Sequence, residues 1–239
     1  MKKEIILNKK DALIVVHVQN CFLPGAALPV PEGNQIIPVL NEYITIFKNA
    51  GLKIFATRDW HPPNHISFKE QGGPWPPHCI QNSDDAKFAQ SLRLPNGTHI
   101  ISSATDPERE AYSGFDGTDL AEQLKNAQVS RVFVGGLATD YCVRATVLDG
   151  LEAGFNVVLL IDAIRGIDVE PGDVETAIRD MIKGGAEQAV LEDFPEPIAT
   201  LTPEIGAERI ADDPLTRAEI KKKTRMRSRG PYRKVRSER

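Results

Sequence analysis

The sequence predicts an α/β protein of three layers, α/β/α, in which helices cover both faces of a mostly parallel sheet of about six strands. Short apolar runs recur along the chain, and helical patterns alternate with them. The runs are continuous, which is typical of strands buried on both faces of a parallel sheet. Alternation of strands and helices favours the same sheet with a helical layer on each side.

Six strands and four helices follow from these patterns. The predicted strands are Ala12–Val16, Leu52–Thr57, His99–Ser102, Arg131–Gly135, Asn156–Ile161 and Gln188–Leu191. The predicted helices are Ile36–Phe47, Asp119–Ala127, Tyr141–Ala153 and Val174–Ile182, and glycines follow most of them as stop signals. The stretch 60–94 is rich in proline and has no clear period. A loop of that length inside a compact domain is expected to build a functional site.

Length and charge predict one domain with an extension. The chain has 239 residues, 41% hydrophobic and 26% charged, which is typical of a globular protein. Periodicity ends near Phe194, so we expect a domain over 1–194 and a proline-punctuated linker with a basic, disordered tail over 195–239. Residues 216–239 carry 11 Lys/Arg against 2 Asp/Glu, whereas the remainder carries 18 against 31. Such a tail is usually a solvated end, and weak contact with a polyanion is the alternative.

The N-terminus and the cysteines favour a cytoplasmic protein. Residues 1–10 lack the apolar core of a signal peptide, and no apolar run approaches the roughly 20 residues that cross a bilayer. Cys21, Cys79 and Cys142 are too few and too scattered for a disulfide scaffold, which fits a reducing compartment. The sequence leaves open whether Cys21 pairs with Cys142 under oxidation and whether the chain forms a homo-oligomer.

Residues that can carry chemistry follow four of the predicted strands. His17 follows the first strand, Asp59 and His61 the second, Ser103 the third and Cys142 the fourth. Open α/β sheets bind ligands beyond the carboxyl ends of their strands. We therefore expect these five side chains to belong to one site.

The Asp59-x-His61 pair predicts a metal site. Residues two apart at a strand end point to the same side, so a carboxylate and an imidazole can converge on one ion. His78 or His65, from the following loop, can complete a set for Zn²⁺, Fe²⁺ or Mn²⁺. The alternative is a loop Asp that caps a turn beside surface histidines.

Cys142 is a candidate nucleophile. The segment 135–142 leaves a strand through two glycines and enters a helix, which Thr139 or Asp140 can cap. Free N–H groups and the helix dipole in the first turn favour a thiolate and can bind an oxyanion. The alternative is a small buried hydrophobe. His17 is either a base for Cys142 or a core histidine with a satisfied ring.

Aromatic residues provide candidate walls for a flat ligand. Phe22 and Trp75 can sandwich a planar ring. For Trp60 and Tyr112, packing within the loops is the simpler interpretation of the sequence alone.

Five motifs together resemble the nicotinamidases, within the cysteine-dependent isochorismatase-like hydrolases, over residues 10–194. They are Ala12–Asn20, Thr57–His65, Gly73–Cys79, Asp106–Phe115 and Gly136–Val143. The resemblance implies hydrolysis of a small carboxamide, nicotinamide, to nicotinate and ammonia, with a Cys nucleophile and a divalent metal ion (Zn, Fe or Mn). It assigns Cys142 as nucleophile, Asp59, His61 and His78 as metal ligands, the N–H groups of Ala138 and Cys142 as oxyanion hole, and Phe22, Trp75 and Tyr112 as walls of the ring site. It also implies a cis peptide between Leu137 and Ala138.

Three positions depart from the family pattern. His17 stands where the catalytic Asp is expected, Cys21 where a second Asp is usual, and Ser103 where the catalytic Lys is expected. Neutral imidazole is a competent base near pH 7, so His17 can form a Cys–His pair, whereas Ser103 brings no charge. The sequence thus predicts an amide hydrolase. The alternative is a catalytically impaired or silent relative that retains metal and pyridine-ligand binding.

Overall fold

The computed structural model describes residues 4–195, which contain a six-stranded sheet and four helices. The strands are β1 (Asp11–Val16), β2 (Lys53–Asp59), β3 (His99–Ser103), β4 (Arg131–Leu137), β5 (Asn156–Arg165) and β6 (Glu187–Ala189). The helices are α1 (Ile36–Asn49), α2 (Leu120–Asn126), α3 (Arg144–Glu152) and α4 (Asp173–Lys183). The predicted linker and basic tail lie, from residue 196 onward, outside the described residues.

The sheet is parallel throughout, in the order β3-β2-β1-β4-β5-β6. Because β1 lies at the centre, Val16 at its end faces Thr57 of β2 on one side and Gly136 of β4 on the other. The carboxyl ends of β1, β2, β3 and β4 therefore meet at one edge. The prediction of a parallel six-stranded sheet is confirmed.

Two apolar cores lie on opposite faces of the sheet and account for the three layers. On one face, Leu13 and Val15 of β1 belong to the same core as Leu40 of α1. On the other face, Ala12 and Ile14 share a core with α2, α3 and α4. Side chains of β1 alternate between the two cores, as the pleat of a strand requires. The continuous apolar run that predicted β1 thus reflects burial on both faces.

Strand boundaries differ most from the prediction near the C-terminal end. β5 continues to Arg165, past the predicted end at Ile161, and still pairs with β4 after a register shift. β6 is shorter than the predicted Gln188–Leu191, because the backbone N–H of Val190 donates to the Asp193 carboxylate and the chain turns there.

Across residues 4–195, no helix has both the length and the apolar character needed to cross a lipid bilayer.

The loop at 60–94 is joined to the loop after β1 by a disulfide. Cys21 is bonded to Cys79, with 5.7 Å between their Cα atoms, and both are fully buried. This answers the question that the sequence left open: Cys21 pairs with Cys79 and not with Cys142, which is the free cysteine of the chain. The tertiary fold brings two loops together that are far apart in the sequence, so spacing alone did not indicate this bridge.

Gln19 strengthens the same junction. Its side-chain amide donates to the backbone carbonyls of Asp59 and Ala86, at 2.9 Å each, and its side-chain oxygen accepts from the N–H of Asp59 at 2.8 Å. Gln19 is fully buried, so the bonds satisfy a side chain that would otherwise destabilise the core. The disulfide and this amide hold the long loop against the carboxyl end of the sheet.

Candidate active site

Four neighbouring strands place their ends around one site, as the sequence predicted. His17 directly follows β1, Asp59 and Ser103 are the paired last residues of β2 and β3, and Ala138 directly follows β4. His17 and Ala104, which follows Ser103, both have left-handed backbone, with φ of 46° and 52°. Such conformations are uncommon for residues with a side chain and tend to occur at functional sites.

The entry to the cysteine turn needs glycine at position 136. A Cβ atom there would lie 2.1 Å from the backbone oxygen of Val16, and the φ of Gly136 is +136°. β4 can therefore approach β1 this closely only without a side chain. One residue further on, the Leu137–Ala138 peptide bond is cis, as the family resemblance implied.

Cys142 lies in a single π-helical turn, Thr139–Val143, that precedes α3. The turn is closed by backbone bonds, in which Tyr141 and Val143 donate to the carbonyl of Ala138 at 3.2 and 3.0 Å. The prediction that Thr139 or Asp140 caps this turn with its side chain is therefore wrong. The Asp140 carboxylate instead accepts two backbone N–H groups of the loop after β5, at 3.0 and 2.7 Å.

The Cys142 thiol is buried, with 6% of the residue exposed. Burial raises its pKa well above the ordinary value, and the negative charges of Asp59 and Glu110 raise it further. A hydrogen bond from the backbone N–H of Ala138 lowers the pKa but does not reverse the shift. The expectation that the turn alone favours a thiolate is thus wrong, because desolvation and two carboxylates outweigh it. Cys142 is a thiol at neutral pH and needs a base.

His17 is a candidate base beside Cys142 and is fully buried. A ring nitrogen of His17, a carboxylate oxygen of Asp59 and the sulfur of Cys142 all lie within 4.8 Å of one another. Burial lowers the pKa of His17, with Asp59 opposing the shift, so the ring is neutral at pH 7. Its Nδ1 atom has no hydrogen-bond partner among the residues that the structure describes, which does not fit a core histidine with a satisfied ring.

Ser103 contacts His17 but does not supply the positive charge of the lysine that is expected at this position. Its hydroxyl lies 3.3 Å from Nε2 of His17, and it can donate to Oδ1 of Asp59 or to the carbonyl of Arg58, each also at 3.3 Å. Ser103 is 1% exposed, so the contacts form in a dry environment. The hydroxyl orients the His17 ring but supplies no positive charge.

Asp59, His61 and His78 form the group predicted to bind a metal. Their ligand atoms lie within 4.8 Å of one another, and all three residues are buried. Nδ1 of His61 is bonded to the carbonyl of His78 at 3.0 Å, and Nδ1 of His78 to the carbonyl of Pro76 at 2.8 Å. Since a carbonyl only accepts, each Nδ1 carries the proton and Nε2 keeps its lone pair for a ligand bond.

The protonation states of this group also suit a cation. Burial lowers the pKa of His61 and of His78, with the charge of Asp59 opposing, so both imidazoles are neutral. Burial by itself would raise the pKa of Asp59, but the surrounding histidines and the Ser103 hydroxyl bring it below its ordinary value. A buried carboxylate beside two neutral imidazoles fits a divalent ion well.

His65 fits this group less well than the other histidines. Its Nδ1 is bonded to the Ser67 hydroxyl at 2.7 Å and its Nε2 to the carbonyl of Arg109 at 3.0 Å. Both ring nitrogens are therefore engaged, and the ring packs 4.4 Å from His61, centroid to centroid. His65 supports the position of His61.

Cys142 and the candidate metal ligands line one pocket. Its lining residues are Phe22, Leu28, Asp59, His61, Trp75, His78, Glu110, Tyr112, Ala138, Tyr141, Cys142 and Ile167. His17 and Ser103 are not lining residues, but a ring nitrogen of His17 lies within 4.8 Å of the Cys142 sulfur, which does line the pocket. All three predicted aromatic residues contribute, and the indole N–H of Trp75 donates to the Tyr112 hydroxyl at 3.0 Å. The interpretation of Tyr112 as mere loop packing is therefore wrong.

Sequence reasoning missed Glu110 and Tyr141. The Tyr141 ring meets Trp75 edge to face at 5.2 Å between centroids. Burial raises the pKa of Glu110, and the charge of Asp59 adds to the shift. Glu110 lies in the motif Asp106–Phe115 and Tyr141 in the motif Gly136–Val143. Membership of these motifs was the sequence signal that could have identified both residues. Trp60 lies elsewhere, under the Arg58 guanidinium at 3.6 Å, as expected for loop packing.

Comparison with known proteins identifies relatives of this fold and site. A family model described as the isochorismatase domain matches residues 11–193. The nicotinamidase of Escherichia coli (strain K12) is 35% identical over 206 residues, which cover 77% of this chain and 97% of that protein.

Two solved structures extend the comparison. The pyrazinamidase of Pyrococcus horikoshii in complex with zinc is 56% identical, with a TM-score of 0.73, and the match covers 76% of this chain and 99% of that one. PnC1 from L. infantum in complex with nicotinate is 31% identical, with a TM-score of 0.74, and the match covers 80% and 98%.

Proposed function

We propose, from the premise that this chain belongs to the isochorismatase family, that it hydrolyses the carboxamide C–N bond of nicotinamide to give nicotinate and ammonia. One observation carries the proposal: the Cys142 thiol and the Asp59–His61–His78 group line the same aromatic pocket. Aromatic walls with a few convergent polar groups are typical of small-molecule sites. Relatives named as nicotinamidases support the choice of amide.

The substrate ring lies against Phe22, Trp75 and Tyr112. Aromatic walls bind a flat heteroaromatic ring by stacked and edge contacts. This position presents the carboxamide carbon to the sulfur of Cys142. The backbone N–H of Ala138, which bonds to that sulfur in the free protein, then turns with the N–H of Cys142 to the developing oxyanion.

His17 carries the proton in both halves of the reaction. In the first half the sulfur forms a bond to the carbonyl carbon, His17 takes the thiol proton, and the same proton goes to the leaving nitrogen as the C–N bond breaks and ammonia departs. In the second half water attacks the thioester carbon and His17 takes a proton from the water. As the C–S bond breaks, that proton returns to the sulfur and nicotinate is released. Asp59, with Oδ1 3.5 Å from Nδ1, stabilises the imidazolium that forms.

Asp59, His61 and His78 would hold the divalent ion, and zinc is supported by the zinc complex of the Pyrococcus relative. When bound, the ion supplies a Lewis acid that orients the ring nitrogen of the substrate. The chain's own contribution is to place the three ligand atoms within 4.8 Å of one another and to fix each imidazole through its Nδ1 hydrogen bond, which leaves Nε2 for the ion.

The test is ammonia release from nicotinamide by the purified whole chain supplied with one equivalent of zinc. Cys142→Ala, which removes the nucleophile, is the control. We expect nicotinate and ammonia in equal amounts from the wild type and none above background from the variant. Wild-type turnover equal to that of Cys142→Ala would instead identify a silent relative that only binds the ligand.

Two further expectations concern the whole chain. We propose that the protein acts in the cytoplasm, which cell fractionation checks. We also propose weak, salt-sensitive contact between the basic tail at 216–239 and a polyanion. If the whole chain bound a polyanion equally well at low and high salt, a role of the tail in that binding would be contradicted.

A further inference from the structure

A second group of metal-ligating side chains lies on the other side of Asp59. We propose that His17, Asp59 and Cys142 form a second metal site, distinct from the Asp59–His61–His78 group, which binds a thiophilic divalent ion of the zinc class. One ligand atom from each of the three residues lies within 4.8 Å of the other two. The residues are 0%, 5% and 6% exposed, so the site is buried.

The ligand types determine which ion this site takes. A thiolate, an imidazole and a carboxylate are the three kinds of ligand that zinc sites in proteins use, and thiolate disfavours magnesium and calcium. Three protein ligands leave a fourth position open, which is the arrangement of reactive zinc sites. The first group has no sulfur, so the two sites differ in their spectroscopic signature.

An unsatisfied atom points into the second site. Nδ1 of His17 is fully buried and has no hydrogen-bond partner within residues 4–195, whereas Nε2 lies 3.3 Å from the Ser103 hydroxyl. Nδ1 also faces Oδ1 of Asp59 at 3.5 Å, which is too long for a good hydrogen bond. Leaving a polar atom buried without a partner is costly. A cation bound by Nδ1 and by the Asp59 carboxylate would satisfy both groups.

Asp59 belongs to both groups, and its two carboxylate oxygens can serve two ions. Metal ions that share a carboxylate in proteins are commonly about 3.5–4 Å apart. A shared ligand means that the second ion binds beside the first and does not need a separate cavity. It also makes affinity at one site depend on occupancy of the other.

Occupancy of the second site has a consequence that rests on the proposed function. An ion bound to Cys142 holds the electron pair with which the sulfur would attack the substrate. It also occupies the nitrogen of His17 that would carry the proton. Zinc in excess of one equivalent is therefore expected to inhibit hydrolysis reversibly, and a chelator that removes the weaker ion is expected to restore it.

The experiment is a cobalt titration of the whole, metal-free chain, without thiol reductant so that the Cys21–Cys79 disulfide stays intact. Cobalt bonded to a thiolate gives a sulfur-to-metal charge-transfer band, and Cys142 is the free cysteine. We expect two equivalents of cobalt to bind, with the band growing only as one of them does. Cys142→Ser should abolish the band, and His17→Phe should lose both the band and one equivalent.

His99→Gln is the matched control, because His99 lies on β3 and bonds to Gln123 away from the pocket. It should keep both equivalents and the band, and circular dichroism should show that each variant is folded. A single equivalent, absence of the band, or an unchanged band in His17→Phe would overturn the second site. The cobalt band is measured without turnover, so the two proposals can fail separately. Ammonia release without a thiolate band refutes the second site alone. A thiolate band without ammonia release refutes the proposed function alone.

Discussion

Nδ1 of His17 lies 3.5 Å from Oδ1 of Asp59, and this relationship joins the proposed proton carrier to the proposed metal group. His17 directly follows β1 and Asp59 ends β2, and these neighbouring parallel strands bring the two residues together. The Ser103 hydroxyl lies 3.3 Å from both side chains. Changes in this trio are therefore expected to affect chemistry more than folding.

The first prediction concerns His17. His17→Gln keeps a polar side chain of similar length but removes the base, so kcat for nicotinamide should fall by about 10²–10⁴-fold. KM should change little, because His17 does not line the substrate pocket. Steady-state kinetics checks this, and His99→Gln serves as a control that keeps wild-type kcat. Equal losses in both variants would contradict a specific role of His17.

The second prediction concerns the metal ligands. His78→Ala removes one of the two imidazoles whose lone pairs are directed at the ion, so bound zinc should fall by about one equivalent per chain. Loss of an orienting ion should raise KM together with lowering kcat. Elemental analysis of the dialysed variant measures the metal directly. Full retention of zinc by His78→Ala would exclude His78 from the ligand set.

The third prediction separates the two tryptophans. Trp75 lines the pocket, whereas Trp60 packs under Arg58 outside it. Trp75→Leu should raise KM roughly twofold to tenfold, since an aromatic contact contributes about 0.5–1.5 kcal/mol. Trp60→Leu should leave KM unchanged. If Trp60→Leu raised KM more than Trp75→Leu did, the substrate ring would bind outside this pocket.

The fourth prediction concerns the disulfide. Cys21→Ser with Cys79→Ser removes a crosslink between residues 58 positions apart, so the free energy of unfolding should fall by about 2–4 kcal/mol. Denaturant unfolding measures this with and without reductant. Reductant should destabilise the wild type by a similar amount and leave the double variant unaffected. If reductant also destabilised the double variant, the effect of reductant on stability would not come from the Cys21–Cys79 disulfide.

Local patterns in the sequence determined the architecture and the edge of the sheet where the site lies. Continuous apolar runs indicate strands buried on both faces, and β1 is such a strand in the structure. Because all strands run in the same direction, residues that follow different strands must meet at one edge. This is why His17, Asp59 and Ser103 could be assigned to one site before their contacts were known. The motifs around Cys142 also indicated the family to which the chain belongs.

The tertiary structure decided the contacts between segments that no local pattern relates. It pairs Cys21 with Cys79, turns Asp140 away from the helix start, and adds Glu110 to the pocket. It also makes Cys142 a thiol, because the pKa of a group depends on burial and on the charges that surround it in space. Desolvation and juxtaposition arise only when the chain is packed, whereas periodicity is already present in the order of its residues.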